Sequence, residues 1–376
     1  GPLNLILGAY FHREALFNST VMNFWTDLDV DGNGLVDSAD CAANPSLLAC
    51  VISNRFDQTK HSAALYGDAT YKVTSATTLR LGLRLTRDTG AQTGLTSEIR
   101  GVDGVLVATP IPSTDRHFAT TNLSGKIALD HALGPQAMAF ASYSRGYRAS
   151  GFNAQAYFDV AEANVARPEM IDAFELGAKA RLLGHALELS ATGFYYSYRN
   201  QQFLSVNPAN AAQNLVNLDR SRIYGAEVEF DLQPTPGLGL RGGLGLLEAR
   251  ARQGTISGVD VRGHRLSNAP SVTFNAAADL VAWRAGDSSL TLNAGLSYVS
   301  AQYFEIMNLP RLRQDGYALL AARAEWRRGA WAFALWGKNL TDRVYTTARI
   351  DLSGFGFDYN HIGTPRTFGA TARISY

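Results

Sequence analysis

No run of eighteen apolar residues occurs anywhere in this sequence of 376 residues, which excludes a transmembrane helix. A membrane is not thereby excluded. A barrel strand crosses with about 9 to 11 residues and alternates lipid-facing with lumen-facing side chains, so its hydropathy averages towards zero, and here the mean hydropathy is −0.09. Excess charge is missing too: Lys+Arg 34 against Asp+Glu 33 leaves no strong field to draw the chain to nucleic acid or to an acidic surface. Cysteine is scarce. The two present, Cys41 and Cys50, stand close together in polar surroundings and read as a disulfide made in an oxidising compartment, the other ligands of a zinc site being wanting. There is no G-x-S-x-G and no H-E-x-x-H, and the 7 histidines are scattered, so no nucleophile with a base emerges and an enzyme is not expected. The chain opens Gly-Pro-Leu-Asn with neither an initiator Met nor a signal peptide, and is expected to be a fragment or a processed form.

What is present in quantity is glycine, 35 residues, and aromatic rings, 16 Tyr with 18 Phe. Alternation is strict in several segments. Leu79, Leu81, Leu83 and Leu85 share one face while Arg80, Gly82, Arg84 and Thr86 share the other; Tyr224, Ala226, Val228, Phe230 and Leu232 oppose Glu227, Glu229 and Asp231. Period two means strand, and helical templates fit poorly outside residues 160 to 175, where Pro168 interrupts. Short turns alternate with long polar connections, the latter at roughly 17–59, 90–117, 150–169, 206–213, 253–267, 306–313 and 348–363, which leaves about fourteen strands. Among these are 3–16, 60–73, 78–89, 118–132, 288–305, 330–347 and 364–376. The fold class is all-β. Strands of this length with aromatic-edged apolar faces describe an antiparallel transmembrane β-barrel. A soluble sandwich favours strands of about five or six residues, and a propeller repeats every 40 to 50 or so; neither pattern is found.

Several local motifs go further. ALWGKNLTDRVYTT at 334 to 347 carries Gly337, Asn339, Leu340, Asp342 and Tyr345 in a G-x-N-L-x-D-x-x-Y pattern, and the closing GTPRTFGATARISY carries Gly363, Pro365, Arg366, Gly369 and a terminal aromatic, Tyr376. With ASYSRGYRASGFN at 141 to 153 and ARPEMIDAFELGAKARLL at 166 to 183, these stretches resemble the TonB-dependent outer-membrane receptors from residue 3 to the end. The resemblance implies a 22-stranded barrel with an N-terminal plug and a box that meets TonB. Neither plug nor box is recognisable, so residues 1–376 are expected to form the C-terminal part of such a barrel. The implied function is energised uptake of a scarce solute across the bacterial outer membrane, an iron-siderophore chelate ahead of cobalamin, haem or carbohydrate, with membrane lipid and the TonB complex as partners. A passive porin-like channel is the alternative.

Candidate cargo contacts are Arg145, Tyr147, Arg148 and Asn153 at the top of one strand, with Tyr303, Phe304 and Arg311 near another loop. Aromatic rings beside arginine suit an anionic chelate; they suit the polar rim of a barrel equally well. For Asn339, Asp342 and Tyr345 the competing reading is a strand-top turn with local side-chain bonds.

The stretch DVDGNGLVDSAD at 29 to 40 matches an EF-hand or dockerin-like calcium loop: Asp29, Asp31, Asn33, the Leu35 carbonyl, Asp37 and Asp40 occupy the ligand positions, with Gly34 at the turn. All are hard oxygen donors, as Ca²⁺ requires. The last is Asp where the pattern has Glu, and flanking helices are wanting. Topology puts the 17–59 connection on the extracellular side, where calcium is held loosely, with Kd of roughly 10⁻⁴ to 10⁻³ M.

Overall fold

The computed structural model describes residues 1–43, 49–206, 213–353 and 356–375. Fourteen strands form one antiparallel sheet in which each pairs with its neighbours in sequence. They are β1 (Leu3–Phe24), β2 (Cys50–Lys72), β3 (Thr77–Gly101), β4 (Leu106–Gly134), β5 (Ala137–Arg148), β6 (Glu169–Leu182) and β7 (Leu187–Val206). The remaining seven are β8 (Gln213–Thr235), β9 (Leu238–Gln253), β10 (Val272–Ala285), β11 (Ser288–Val299), β12 (Tyr317–Arg328), β13 (Trp331–Lys338) and β14 (Thr367–Ile374).

Directly paired residues share a face, so register sorts every side chain. Leu65, Leu85 and Leu123 are successive partners across β2, β3 and β4 and stand 67%, 51% and 58% exposed. Such a row is stable only against lipid. The opposite face is polar: Asp279, Asn293 and Arg323 are successive partners on β10, β11 and β12. Among the described residues β1 and β14 each pair on one side only, and unpaired backbone groups facing hydrocarbon cost several kcal/mol apiece.

Strand boundaries differ from expectation in two opposite ways. The first strands run far past the apolar alternation: β1 and β2 stay in register to the pair Phe24 and Cys50, which narrows the expected 17–59 connection to 25–49, and β3 and β4 continue until only residues 102–105 separate them, so the expected long connection at 90–117 is a tight turn. Above the lipid the outer face meets water and the inner face is covered by another part of the chain, so neither imposes an apolar-out, polar-in alternation. Ladder hydrogen bonds persist there while the pattern of hydrophobicity that advertises a strand disappears. Later strands stop early, β11 at Val299 and β13 at Lys338 rather than at 305 and 347. In the second case Asn339 and Asp342 adopt positive φ, 47° and 53°, which ends a strand. Tyr376 lies outside the described residues.

Candidate functional site

Between β5 and β6 the chain turns back across the inner face of the early strands. Residues 149–168 contain a two-stranded ribbon, Gly151–Phe152 with Val165–Ala166, and a single 3₁₀ turn at Val160–Glu162. Ala156 and Ala163 of this segment pack into a core with Phe56, Leu95 and Ile111, while Tyr157 joins Ile52, Ile99 and the two cysteines. Polar contacts fix the seat: Asn54 Nδ2 donates to the Ala156 carbonyl at 2.6 Å, Ser97 Oγ to that of Tyr157 at 2.8 Å and Arg116 Nε to that of Ala163 at 2.6 Å. The mouth is thus narrowed by a packed segment, not by a loose loop.

Glu162 is the pivot inside that segment, accepting from the Tyr157 and Phe158 amides at 2.8 and 3.0 Å. Burial pushes its carboxyl above the usual range, and the amide bonds offset only part of this. A raised carboxyl favours the seated segment most where it is protonated, so that contribution is full below the ordinary carboxylate range and is lost as pH rises through the raised value. Protection factors for amides 150–166, corrected for intrinsic exchange, are expected to fall as pH rises through that window, and Glu162→Gln should flatten the profile.

The candidate cargo contacts divide. Asn153 is buried, with Nδ2 on the Glu162 carbonyl at 2.9 Å and Oδ1 accepting from the Gln155 amide at 3.1 Å, so it organises the segment. Tyr147 donates to Asp88 at 2.8 Å, and Arg148 is exposed at the end of β5. Arg145 is a correction: its partner row on β4 to β6 is Gly125 and Asp172, in line with the lipid-facing Ile127 and Phe174, so it faces outward and pairs with Asp172 at 2.7 Å. Parity along β5 carries this signal, once one knows which face is outer.

Tyr303, Phe304 and Arg311 belong to a second loop assembly. Tyr303 pairs with Arg313 in a short ribbon, and the Phe304 amide donates to the Leu312 carbonyl at 3.1 Å. Arg311 is held by Asp351 and Asp358, each at 2.6 Å, the two acids lying on the ribbon Thr346–Leu352 with Phe357–Ile362. Burial opposes the charge on Asp351, and the Arg311 guanidinium with Ser353 outweighs it, holding that carboxyl below its usual range. Arg311 is a staple between loops, a consequence of pairing across forty residues that spacing does not reveal. The inner wall also carries a cluster that sequence spacing does not reveal: the Arg84 guanidinium lies over the rings of Tyr10 and Tyr66, 4.8 and 5.7 Å from their centroids.

The acidic stretch folds back on itself through bonds from its own amides to its side-chain oxygens. Asp29 accepts from the amides of Gly32 and Gly34 at 2.7 and 2.8 Å, Asp31 from Asn33 at 3.0 Å and Asn33 from Leu35 at 2.8 Å. A one-and-a-half-turn helix, α1 (Ser38–Ala43), follows, although a strand and not a helix precedes the loop. Asp40, shut off from solvent, accepts from the amides of Asp37, Val30 and Asp31, which hold its carboxyl below the usual range. Oxygens of Asp29, Asp31 and Asp40 lie within 4.8 Å of one another; Asp37 instead caps α1 by accepting from the Ala39 amide at 2.7 Å. Cys41 on α1 is disulfide-bonded to Cys50 at the start of β2, with Cα atoms 5.0 Å apart.

The two closing motifs interlock. Asn339 Nδ2 donates to the carbonyls of Arg343 and Thr364 at 2.9 and 3.2 Å, and its Oδ1 accepts from the Arg343 amide at 2.9 Å. Asp342 accepts from the Arg366 amide at 3.2 Å and pairs with its guanidinium at 3.3 Å, on the far side of Pro365. The Leu340 amide donates to the Leu320 carbonyl at 2.9 Å. Tyr345 stacks on Tyr317 with centroids 4.6 Å apart, and its ring fills the space where Gly363 has no side chain; Trp336 does the same over Gly369, and Gly337 leaves room for Leu340 and Phe368. These residues form a latch between the β13 turn and β14, held by side-chain bonds within and between the two motifs.

Comparisons with known proteins agree with this architecture. A family model, TonB dependent receptor-like β-barrel, matches residues 5–340. Among solved structures, the ferric yersiniabactin uptake receptor FyuA from Yersinia pestis is 17% identical with a TM-score of 0.76, over 100% of this chain and 52% of that one. The siderophore receptor PiuA from Acinetobacter baumannii is 18% identical with a TM-score of 0.66, over 86% and 44%. The ferric-catecholate import receptor Fiu from E. coli K12 is 19% identical with a TM-score of 0.66, over 86% and 50%. The chain spans about half the length of these relatives. They are receptors and not enzymes, and none of them lends support to the passive-channel reading. With a lipid-facing apolar belt, a polar inner wall and the interlocked closing motifs, the chain belongs to the TonB-dependent receptors of the bacterial outer membrane.

Proposed function

We propose that the protein imports an anionic iron chelate, and that the step is energised through TonB contacts made outside these residues. The observation that carries the reading is Arg84 set against Tyr10 and Tyr66 on the inner wall, a cation and two rings where a large anionic, aromatic solute would pass; the ferric receptors among the solved relatives support it. Intrinsic-fluorescence titration of the full-length receptor with a panel of ferric catecholate, phenolate and citrate chelates tests it. Binding of at least one is expected, weakened about five- to tenfold by Arg84→Gln, in line with about 1 kcal/mol for a cation–π contact. Binding of cobalamin or haem, with no response to any ferric chelate, would sink the assignment.

The 29–40 loop is proposed to hold calcium on the extracellular side. Its support is the convergence of Asp29, Asp31 and Asp40, since three carboxylates so close repel one another unless a cation is shared. Asp40 already accepts three amides, but each carboxylate oxygen carries two lone pairs, so it remains able to ligate. Ca²⁺ added to the full-length protein is expected to bind with Kd near 10⁻⁴ to 10⁻³ M, and Asp29→Ala to remove that heat in calorimetry. An identical titration for the variant would refute the site.

A further inference from the structure

The outer face of β5 to β8 carries an ordered arrangement that cargo uptake does not use. Tyr143, Phe174, Tyr195 and Tyr224 are direct partners on four successive strands, forming one aromatic row on the lipid-facing side. Aromatic rings in a barrel mark the boundary between hydrocarbon and headgroups. The next outward row towards the long connections reads Arg145, Asp172, Ser197 and Arg222, and the row beyond it places Arg199 beside Arg220. Two residues along a strand advance about 7 Å, so the guanidinium groups sit at headgroup depth.

The charges do not cancel. Arg145 and Arg199 share the single carboxylate of Asp172, at 2.7 and 3.0 Å, whereas Arg220 and Arg222 form no ion pair among the described residues. Arg222 is instead propped over the Tyr224 ring, 5.3 Å from its centroid. Four arginines against one carboxylate leave an excess of three positive charges on a patch bordered by lipid. Guanidinium groups bind phosphate oxygens two at a time, and a basic cluster at a membrane surface selects anionic headgroups.

We propose that this patch is a binding site for a phosphate-bearing lipid of the outer leaflet, its acyl chains lying on the aromatic row and its phosphates on Arg199, Arg220 and Arg222. The site is independent of which cargo the receptor carries. Each basic residue near an anionic surface contributes roughly a fivefold factor to binding. Removing three is therefore expected to weaken the complex about a hundredfold.

The test is native mass spectrometry of the full-length protein in detergent, titrated with bisphosphorylated lipid A and, in parallel, with its dephosphorylated form. The triple variant Arg199→Gln, Arg220→Gln, Arg222→Gln should lose most binding of the phosphorylated lipid. Arg241→Gln, an inner-face arginine paired with Asp279, should retain it, and heat-modifiable gel mobility shows that both variants are folded. Equal binding of the phosphorylated lipid by wild type and the triple variant overturns the proposal. So does equal wild-type affinity for the two lipid forms, or full displacement of the lipid by millimolar inorganic phosphate, which would identify a site for the free anion.

Discussion

Gly225→Val is expected to abolish the folded barrel. Gly225 lies in the middle of β8, facing inward between Phe194 of β7 and Leu247 of β9. A Cβ there would overlap the Leu246 carbonyl oxygen and lie 2.8 Å from the Phe194 ring. Overpacking of a side-chain core costs about 1 to 3 kcal/mol because side chains can shift. Here the obstacle is a backbone carbonyl, so relief requires β8 and β9 to part. Parting the ladder leaves N–H and C=O groups unpaired at membrane depth, at several kcal/mol each. Outer-membrane fractions of cells expressing the variant should lack the heat-modifiable, protease-resistant species. Gly295→Val is the control: a Cβ at Gly295 meets nothing within 4 Å, and that variant should assemble normally. Equal assembly of the two variants would show that steric closure at β8 is not limiting.

Asn339→Ala should cost about 3 to 4 kcal/mol, the next largest effect. The substitution removes three hydrogen bonds from a side chain whose residue is only 6% exposed, those to the Arg343 amide, the Arg343 carbonyl and the Thr364 carbonyl, at about 1 kcal/mol each. It also places alanine at φ 47°, a left-handed conformation that asparagine tolerates better than alanine because its short amide can bond locally. Asn339→Gly separates these contributions, since glycine accepts the dihedral and loses only the bonds. Denaturant unfolding in detergent should therefore rank wild type above the glycine variant and the glycine variant above alanine. Glycine and alanine variants of equal stability would mean that the positive φ carries no cost.

Much of this was legible along the chain, and the reasons are local. Leu79 to Leu85 and Tyr224 to Leu232 announce strands because lipid on one side and water on the other impose period two. The same rule hid the upper halves of β1 to β4, where SEIRG is as much strand as LRLGL but faces no lipid: Ser97 and Ile99 turn inward beneath the 149–168 segment while Glu98 and Arg100 face outward. Cys41 with Cys50, and Asp29 with Asp31, are neighbours in sequence, so short-range spacing was enough to bring them together. The candidate cargo contacts fared differently. Arg145 looked like a rim residue because it stands with Tyr147 and Arg148 at a strand end before a long connection, yet its side of the strand is decided by register with Gly125 and Asp172. Arg311 looked free because its partners stand forty and forty-seven residues away.

By itself, then, the sequence determined the strand count, the period of each strand, the family motifs and the acidic loop, all of which depend on interactions within about ten residues. Tertiary structure alone decided which way each arginine faces, that residues 149–168 sit inside the mouth, and that Asn339, Asp342 and Tyr345 close on Thr364, Arg366 and Gly363. Those outcomes rest on pairing between distant segments, where a shift of one residue in register moves a side chain from lumen to lipid.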